Sequence, residues 1–106
     1  MSRQRSANTV TVPHMPGKGP WTFLSNYAHV LVCLALDPDA RLREVADRVG
    51  ITERRVNGIL ADLEKAGIIT VTKVGRRNSY TIDRTAQLRH PLESHKTVGD
   101  LLRGTT

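Results

Sequence analysis

Two short segments of helical periodicity meet at Gly50, and their spacing constrains the fold of this chain more than any other feature. In the first segment the apolar residues recur at intervals of three and four, at Leu42, Val45, Ala46 and Val49. This interval places them on one face of a helix, because an α-helix repeats about every 3.6 residues. Glycine accepts the left-handed backbone that ends many helices, so the first helix is predicted to end at Gly50.

A second helix is predicted to begin directly after this turn. Thr52 is suited to be its N-cap, and Glu53 in its first turn complements the helix dipole. Gly67 is predicted to end it. The residues of its inner face follow the same helical spacing: Val56, Ile59 or Leu60, and Leu63.

The periodicity changes from helical to alternating after Gly67. Four residues are predicted to point inward from two short strands: Ile69, Val71, Tyr80 and Ile82. Between the strands, residues 75–78 (Gly-Arg-Arg-Asn) are predicted to form the tip of a hairpin. Glycine and asparagine there can supply positive φ angles.

Two further helices are predicted on either side of this region. Ser25 is a plausible N-cap for a helix that runs to Leu36 and is ended by residues 37–39 (Asp-Pro-Asp). That helix is apolar on nearly all sides, so a single neighbouring surface cannot cover it, and we expect a partner subunit to do so. A last helix is predicted between Pro91 and Arg103, with an apolar set made of Leu92, Val98, Leu101 and Leu102. The last helix could be a simple cap on the core, but its uneven apolar content and the apolar first helix together favour a homodimer.

The segment LREVADRVGITERRVNGILADL (Leu42–Leu63) resembles the helix-turn-helix motif. Ala46 is the small residue at the helix crossing, Gly50 follows it at the turn, and Val56 occupies the inner face of the second helix. With the basic hairpin that follows, residues 24–83 resemble the winged-helix core of MarR-type and related small bacterial transcriptional regulators. The resemblance implies a two-fold dimer bound to a palindromic operator in double-stranded DNA.

The chain also departs from these families. A typical MarR protein is longer and has extended dimerisation helices, so its ligand cleft is not carried over, and the sequence assigns no small-molecule effector. ArsR-type metal sensors carry a cysteine-rich box before the recognition helix, which this sequence lacks.

The predicted fold class is α+β, mainly α: a winged helix-turn-helix with a three-helix core, a two- to three-stranded β-wing and a C-terminal helix.

This fold predicts three regions along the chain. Residues 1–20 are rich in Ser, Thr, Pro and Gly and are expected to form a disordered basic arm. Residues 21–84 are expected to form the winged-helix DNA-binding domain. Residues 85–106 are expected to form a loop and a helix that serve dimerisation.

The resemblance implies that the second helix of the motif enters the major groove. Arg54 and Asn57 face away from the predicted core and are expected to read bases, since arginine can bind guanine and asparagine can bind adenine at two points each. Arg55, nearer the flank, and Thr52, at the helix start, suit phosphate contacts. Gly58 either permits a close approach to DNA or serves helix packing.

The predicted wing carries a second set of basic residues. Arg76 and Arg77 are adjacent, repel one another and stabilise nothing evident within the chain. We therefore expect both to contact a narrow minor groove or its phosphates. Lys73 and Asn78 are expected to support them.

The charge balance agrees with a polyanionic partner. The formal net charge is +6, which favours nucleic acid first and an anionic membrane second. The longest apolar run, Val30–Leu36, is far shorter than the roughly 20 residues of a membrane-spanning helix, and no apolar segment follows the basic N-terminus. Cys33 is the sole cysteine, which excludes an intrachain disulfide. These features predict a cytoplasmic protein.

Other functions find less support in the sequence. The histidines are scattered and no metal-ligand or cofactor motif is present, so no metal and no cofactor is predicted. No nucleophile elbow, phosphate-binding glycine loop or carboxylate pair predicts an enzyme, and no catalytic residue is assigned. A winged-helix module for protein interaction within a larger complex is the alternative. RNA binding is disfavoured because Trp21 and Tyr80, which could stack on bases, are expected to lie in the core or the hairpin.

Overall fold

The computed structural model describes residues 20–106, so of the predicted arm only Pro20 lies within the described part of the chain. These residues form, in order, α1 (Asn26–Leu36), α2 (Leu42–Val49), α3 (Glu53–Lys65), β1 (Ile69–Val74), β2 (Arg77–Ile82) and α4 (Val98–Thr105). The fold is a mainly α winged helix: α2 and α3 form the helix-turn-helix, the hairpin β1–β2 forms the wing, and α4 follows. The predicted fold class is confirmed.

Local capping fixes the start of α1, the end of α2 and the start of α3 where the sequence predicts them, whereas α3 ends at Lys65, just before the predicted Gly67. The Ser25 hydroxyl accepts a hydrogen bond from the amide of Ala28 at 3.4 Å and begins α1. The Thr52 hydroxyl accepts from the amide of Arg55 at 3.0 Å and begins α3. Gly50 ends α2 with a φ of 85°, in the left-handed region that glycine adopts without steric cost.

The hydrophobic core surrounds α1, which packs against α2, α3, α4 and β2. Four elements of the chain thus cover much of this apolar helix, although Leu36 remains 36% exposed. The partner subunit expected from its apolar pattern stays a prediction. Both Ile59 and Leu60 of α3 are buried. The fully buried side chains come from every layer: Val30, Leu34, Val45, Val56, Ile59, Ile69, Val98 and Leu102.

The wing has the predicted register. Ile69 lies opposite Ile82, and Val71 lies opposite Tyr80, which places all four on the inward face of the antiparallel pair. Ile69 is buried, whereas the other three are half-buried, so the wing is anchored most firmly at the end nearest α3.

The hairpin tip is shorter than the sequence predicts. Gly75 and Arg76 alone form the turn, with a φ of 64° at Gly75. Arg77 and Asn78, predicted at the tip, belong to β2, where Arg77 pairs with Val74. Two residues are enough to connect antiparallel strands, so the ladder continues up to the turn.

The last helix begins later than predicted. Turns occupy the region after Pro91, and Leu92, predicted on the apolar face of this helix, is 83% exposed. The helix begins instead at Thr97, whose hydroxyl accepts from the amide of Asp100 at 3.1 Å while the Asp100 carboxylate accepts from the amide of Thr97 at 2.9 Å. This reciprocal capping box fixes the start of α4.

Residues 84–98 form an irregular hairpin that leads into α4. The amide of Leu88 donates to the carbonyl of Lys96 at 2.9 Å, and the amide of Val98 donates to the carbonyl of Ala86 at 2.8 Å. The hairpin brings Val98 and Leu102 into the core beside α1. Within residues 20–106, no helix has the length and apolar character that crossing a bilayer requires.

Candidate nucleic-acid interface

The outward face of α3 carries polar side chains without partners. Val56 and Ile59 are fully buried on the inner face, whereas Arg54, Asn57 and Gly58 are exposed. Within residues 20–106, the side chains of Arg54 and Asn57 make no hydrogen bond or ion pair. Their hydrogen-bonding groups are therefore available to an external ligand.

Gly58 lies on the same exposed face. A β-carbon at this position would meet no atom within 4 Å, leaving out the helix's own nearby backbone. Helix packing, one of the two explanations offered for this glycine, is therefore wrong. The open space leaves the backbone of α3 accessible at its middle.

Three residues of the wing are exposed in the same way. Lys73, Arg76 and Asn78 have no side-chain hydrogen bond or ion pair with any residue in the described range 20–106. Lys73 and Asn78 lie opposite each other on the two strands. Together with Arg76 in the turn, they present two positive charges and an amide at the end of the hairpin.

Arg77 differs from its neighbour. Its guanidinium donates to the backbone carbonyl of Asp39 at 3.0 Å, across 38 residues of sequence. The expectation that Arg77 stabilises nothing within the chain was therefore wrong. The sequence could not show this contact, because its acceptor is a backbone atom distant along the chain.

A cleft of about 410 Å³ separates the start of α2 from the wing. The residues that line it include four of the predicted site residues: Asn57, Arg76, Arg77 and Asn78. The other five are exposed outside this cleft: Thr52, Arg54, Arg55, Gly58 and Lys73. The structure thus brings the middle of α3 and the wing tip to one concave surface.

Arg41 also lines the cleft, although no sequence pattern singled it out as a site residue. It is exposed and is the N-cap residue of α2. Its amide donates to the Glu44 carboxylate at 2.8 Å, and this bond, more than any other effect, lowers the pKa of Glu44. A signal was nevertheless present, because the first helix of a helix-turn-helix crosses the DNA backbone and a basic residue at its start suits a phosphate.

Arg55 is held at the flank of α3 that faces α1. Its guanidinium carbon lies 5.7 Å from the centroid of the Tyr27 ring, within the range of a cation–π contact. The Tyr27 hydroxyl donates to the Asp62 carboxylate at 2.5 Å, which is the main reason that the pKa of Tyr27 is raised. Tyr27 therefore links α3 to α1 at two points.

A second, apolar surface lies elsewhere on the molecule. A groove of about 480 Å³ is lined mainly by α1, the end of α3 and the segment before α4, and shares no residue with the cleft. Phe23, 92% exposed, lines it, and Trp21, 65% exposed, packs edge-on against Phe23 with ring centroids 5.0 Å apart. The expectation that Trp21 is a core residue was wrong, because it precedes α1 and no element covers it.

The same part of the chain offers little for metal or thiol chemistry. No group of three or more His, Cys, Asp or Glu residues within 20–106 is arranged to hold a metal ion. Cys33 is 4% exposed, and burial raises the pKa of its thiol. The thiolate form, which reacts with oxidants and metals, is therefore disfavoured.

Residues 29–70 match a family of winged helix-turn-helix DNA-binding domains. The matched segment runs from within α1 to the start of β1 and includes all of α2 and α3. No curated protein matches the chain. The match agrees with the fold and supports DNA as a partner.

Proposed function

Starting from this similarity of residues 29–70 to winged helix-turn-helix DNA-binding domains, we propose that the protein is a transcriptional regulator that binds double-stranded DNA sequence-specifically as a homodimer. One observation carries the proposal. Arg54, Asn57 and Arg76 are exposed, lack partners within residues 20–106, and project from the two elements that a winged helix directs at DNA. The net charge of +6 supports a polyanionic ligand.

In the proposed complex, α3 lies in the major groove. Arg54 binds the O6 and N7 atoms of a guanine, and Asn57 binds the N6 and N7 atoms of an adenine. Gly58, with open space above its backbone, allows α3 to approach the base edges closely. Thr52 at the helix start and Arg55 at its flank contact phosphates.

The wing follows the DNA beside the groove. Lys73, Arg76 and Asn78 contact the backbone or a narrow minor groove, where the negative potential is strongest. Arg41 faces the same cleft and adds a phosphate contact from the start of α2. Arg77 borders the cleft as well, although its guanidinium is already hydrogen-bonded.

The homodimer forms through the apolar groove and the aromatic pair beside it. Phe23 and Trp21 expose large apolar areas that a partner copy would cover, and this surface shares no residue with the DNA-facing cleft. A two-fold dimer can therefore form while both cleft surfaces remain free for DNA. In this arrangement the C-terminal region 85–106 contributes to the interface as well as to the core.

The proposal places the protein among MarR-like bacterial regulators that act in the cytoplasm. In this proposal the protein occludes or recruits RNA polymerase at a promoter and performs no catalysis. No cofactor is part of this mechanism.

Selection from a pool of random duplexes tests the proposal. The protein should enrich a palindromic sequence whose half-sites lie about 34–36 Å apart or a multiple of this, as a two-fold dimer requires. Arg54→Ala should lose the enriched sequence, whereas Arg84→Ala, an exposed arginine after the wing, should retain it. A pool that shows no enriched sequence would contradict sequence-specific binding.

A further inference from the structure

We infer that Arg77 is a positioning residue that ties the tip of the wing to the loop between α1 and α2, an assignment that rests on the proposed function for the DNA contacts of the wing. Its guanidinium donates to the carbonyl of Asp39 at 3.0 Å. Three residues further along β2, the amide of Tyr80 donates to the carbonyl of Pro38, also at 3.0 Å. The wing is thus joined to one short loop at two successive points.

The acceptor of the Arg77 hydrogen bond, the carbonyl of Asp39, is itself held in place. The amide of Asp39 donates to a carboxylate oxygen of Asp37 at 3.1 Å, and the amide of Ala40 donates to the Asp37 carbonyl at 3.1 Å. The Ala40 side chain is 5% exposed and belongs to the core. The Asp39 carbonyl therefore has a defined direction, set by the turn that ends α1.

The hydrogen bond from Arg77 lies near the free end of the wing. Ile69 anchors the wing in the core, whereas Val74, opposite Arg77, is 64% exposed. Between Tyr80 and the turn, β2 extends about 10 Å with no core packing. A single hydrogen bond near the free end restricts the swing of this segment more than the same bond near the core would.

The hydrogen bond from Arg77 to Asp39 gives the two adjacent arginines different roles. Arg76 lies in the turn and makes no side-chain bond within residues 20–106, so its charge is free for DNA. Arg77 makes its bond to the chain itself, and by restraining the wing it limits how far Arg76 can move relative to Asn57 across the cleft. Arg77 thus acts on DNA binding through Arg76.

Amide hydrogen exchange in the free protein tests the tie without DNA. Arg77→Gln should speed exchange at Tyr80 and at the tip of the wing by about two- to tenfold, the effect of one exposed hydrogen bond. Arg76→Gln, the matched control, should leave these rates unchanged. Asp37→Ala should reproduce the effect of Arg77→Gln from the other end of the tie, whereas Asp37→Asn, which keeps the accepting oxygen, should stay near the wild-type rates.

Salt titration of DNA binding separates positioning from direct contact. Arg76→Gln should lower the slope of log affinity against log salt by about 0.9 for each phosphate that the arginine neutralises in the wild-type complex. Arg77→Gln should weaken binding while keeping the wild-type slope. A slope that falls in Arg77→Gln as it does in Arg76→Gln, or unchanged exchange in Arg77→Gln, would overturn the positioning role. A wild-type protein that binds no DNA would overturn the proposed function and this role with it, while the exchange rates would still show whether the tie exists.

Discussion

The amide of Gly99 donates to the carbonyl of Arg84 at 2.9 Å, and a β-carbon added to Gly99 would lie 2.9 Å from that same oxygen. Gly99 is buried near the start of α4, where the preceding hairpin crosses the helix. Gly99→Ala should therefore destabilise the fold by about 1–3 kcal/mol, since backbone must move to admit the methyl group. Urea unfolding followed by circular dichroism measures this change.

Gly104 in the same helix provides the control for that substitution. A β-carbon there would meet no atom within 4 Å, so Gly104→Ala should leave the free energy of unfolding unchanged or raise it slightly. If the two alanine variants unfold at the same urea concentration, the close approach of the hairpin to α4 does not constrain stability.

Base reading by α3 should be separable from anchoring. Replacing Arg54 or Asn57 by alanine should cost about 1–3 kcal/mol on the selected DNA sequence, because each removes a two-point contact to a base. Affinity for a scrambled duplex should change much less. Fluorescence anisotropy at one fixed salt concentration measures both affinities, with folding checked by circular dichroism. Full discrimination in well-folded variants would show that α3 is not the reading element.

Gly58→Ala should change stability and DNA binding in opposite directions. The glycine is exposed inside α3 with open space around it, so alanine should stabilise the helix by about 1 kcal/mol. The added methyl group should weaken binding to the selected DNA by holding α3 away from the base edges. Gly104→Ala should leave DNA affinity unchanged. A Gly58→Ala variant that is more stable and binds as tightly as wild type would rule out the close approach.

The oligomeric state should depend on the aromatic pair beside the apolar groove. The wild-type protein should sediment as a dimer at micromolar concentration, and Phe23→Ser should shift it toward the 11.8 kDa monomer without unfolding it, because Phe23 is 92% exposed. Val74→Ser, which replaces an exposed apolar residue of the wing, serves as the matched control and should remain dimeric. A wild-type protein that sediments as a monomer would contradict the homodimer.

Local signals in the sequence predicted much of the fold. Ser25, Gly50 and Thr52 act within a few residues of themselves, through hydrogen bonds or backbone conformation that depend little on distant parts of the chain. The inward residues of the wing were likewise readable, because their alternation follows directly from strand geometry. Thr97 and Asp100 carry an equally local capping signal, but the apolar residues after Pro91 favoured an earlier start for the helix.

Contacts between distant residues could not be read in this way. The bond from Arg77 to Asp39 spans 38 residues, and the covering of α1 by four elements depends on how the whole chain closes. Amphipathic pattern alone does not show how many neighbours a helix will have. For the same reason the candidate site could be predicted as a set of residues, such as Asn57 and Arg76, but not as a shared cleft.

Because α4 is buried in the core, the helix-turn-helix and the wing cannot be separated from the C-terminal helix. Residues 29–70 carry the similarity to DNA-binding domains, yet Val98 and Leu102, each at most 1% exposed, complete the core on which those residues fold. Each contributes roughly 1.5–3 kcal/mol by burial, out of a total stability of about 5–15 kcal/mol for a typical domain. Truncation at Pro91 should therefore strongly destabilise the fold, and the proposed DNA binding with it. A grafted or fused DNA reader built from this chain would have to retain the whole of α4.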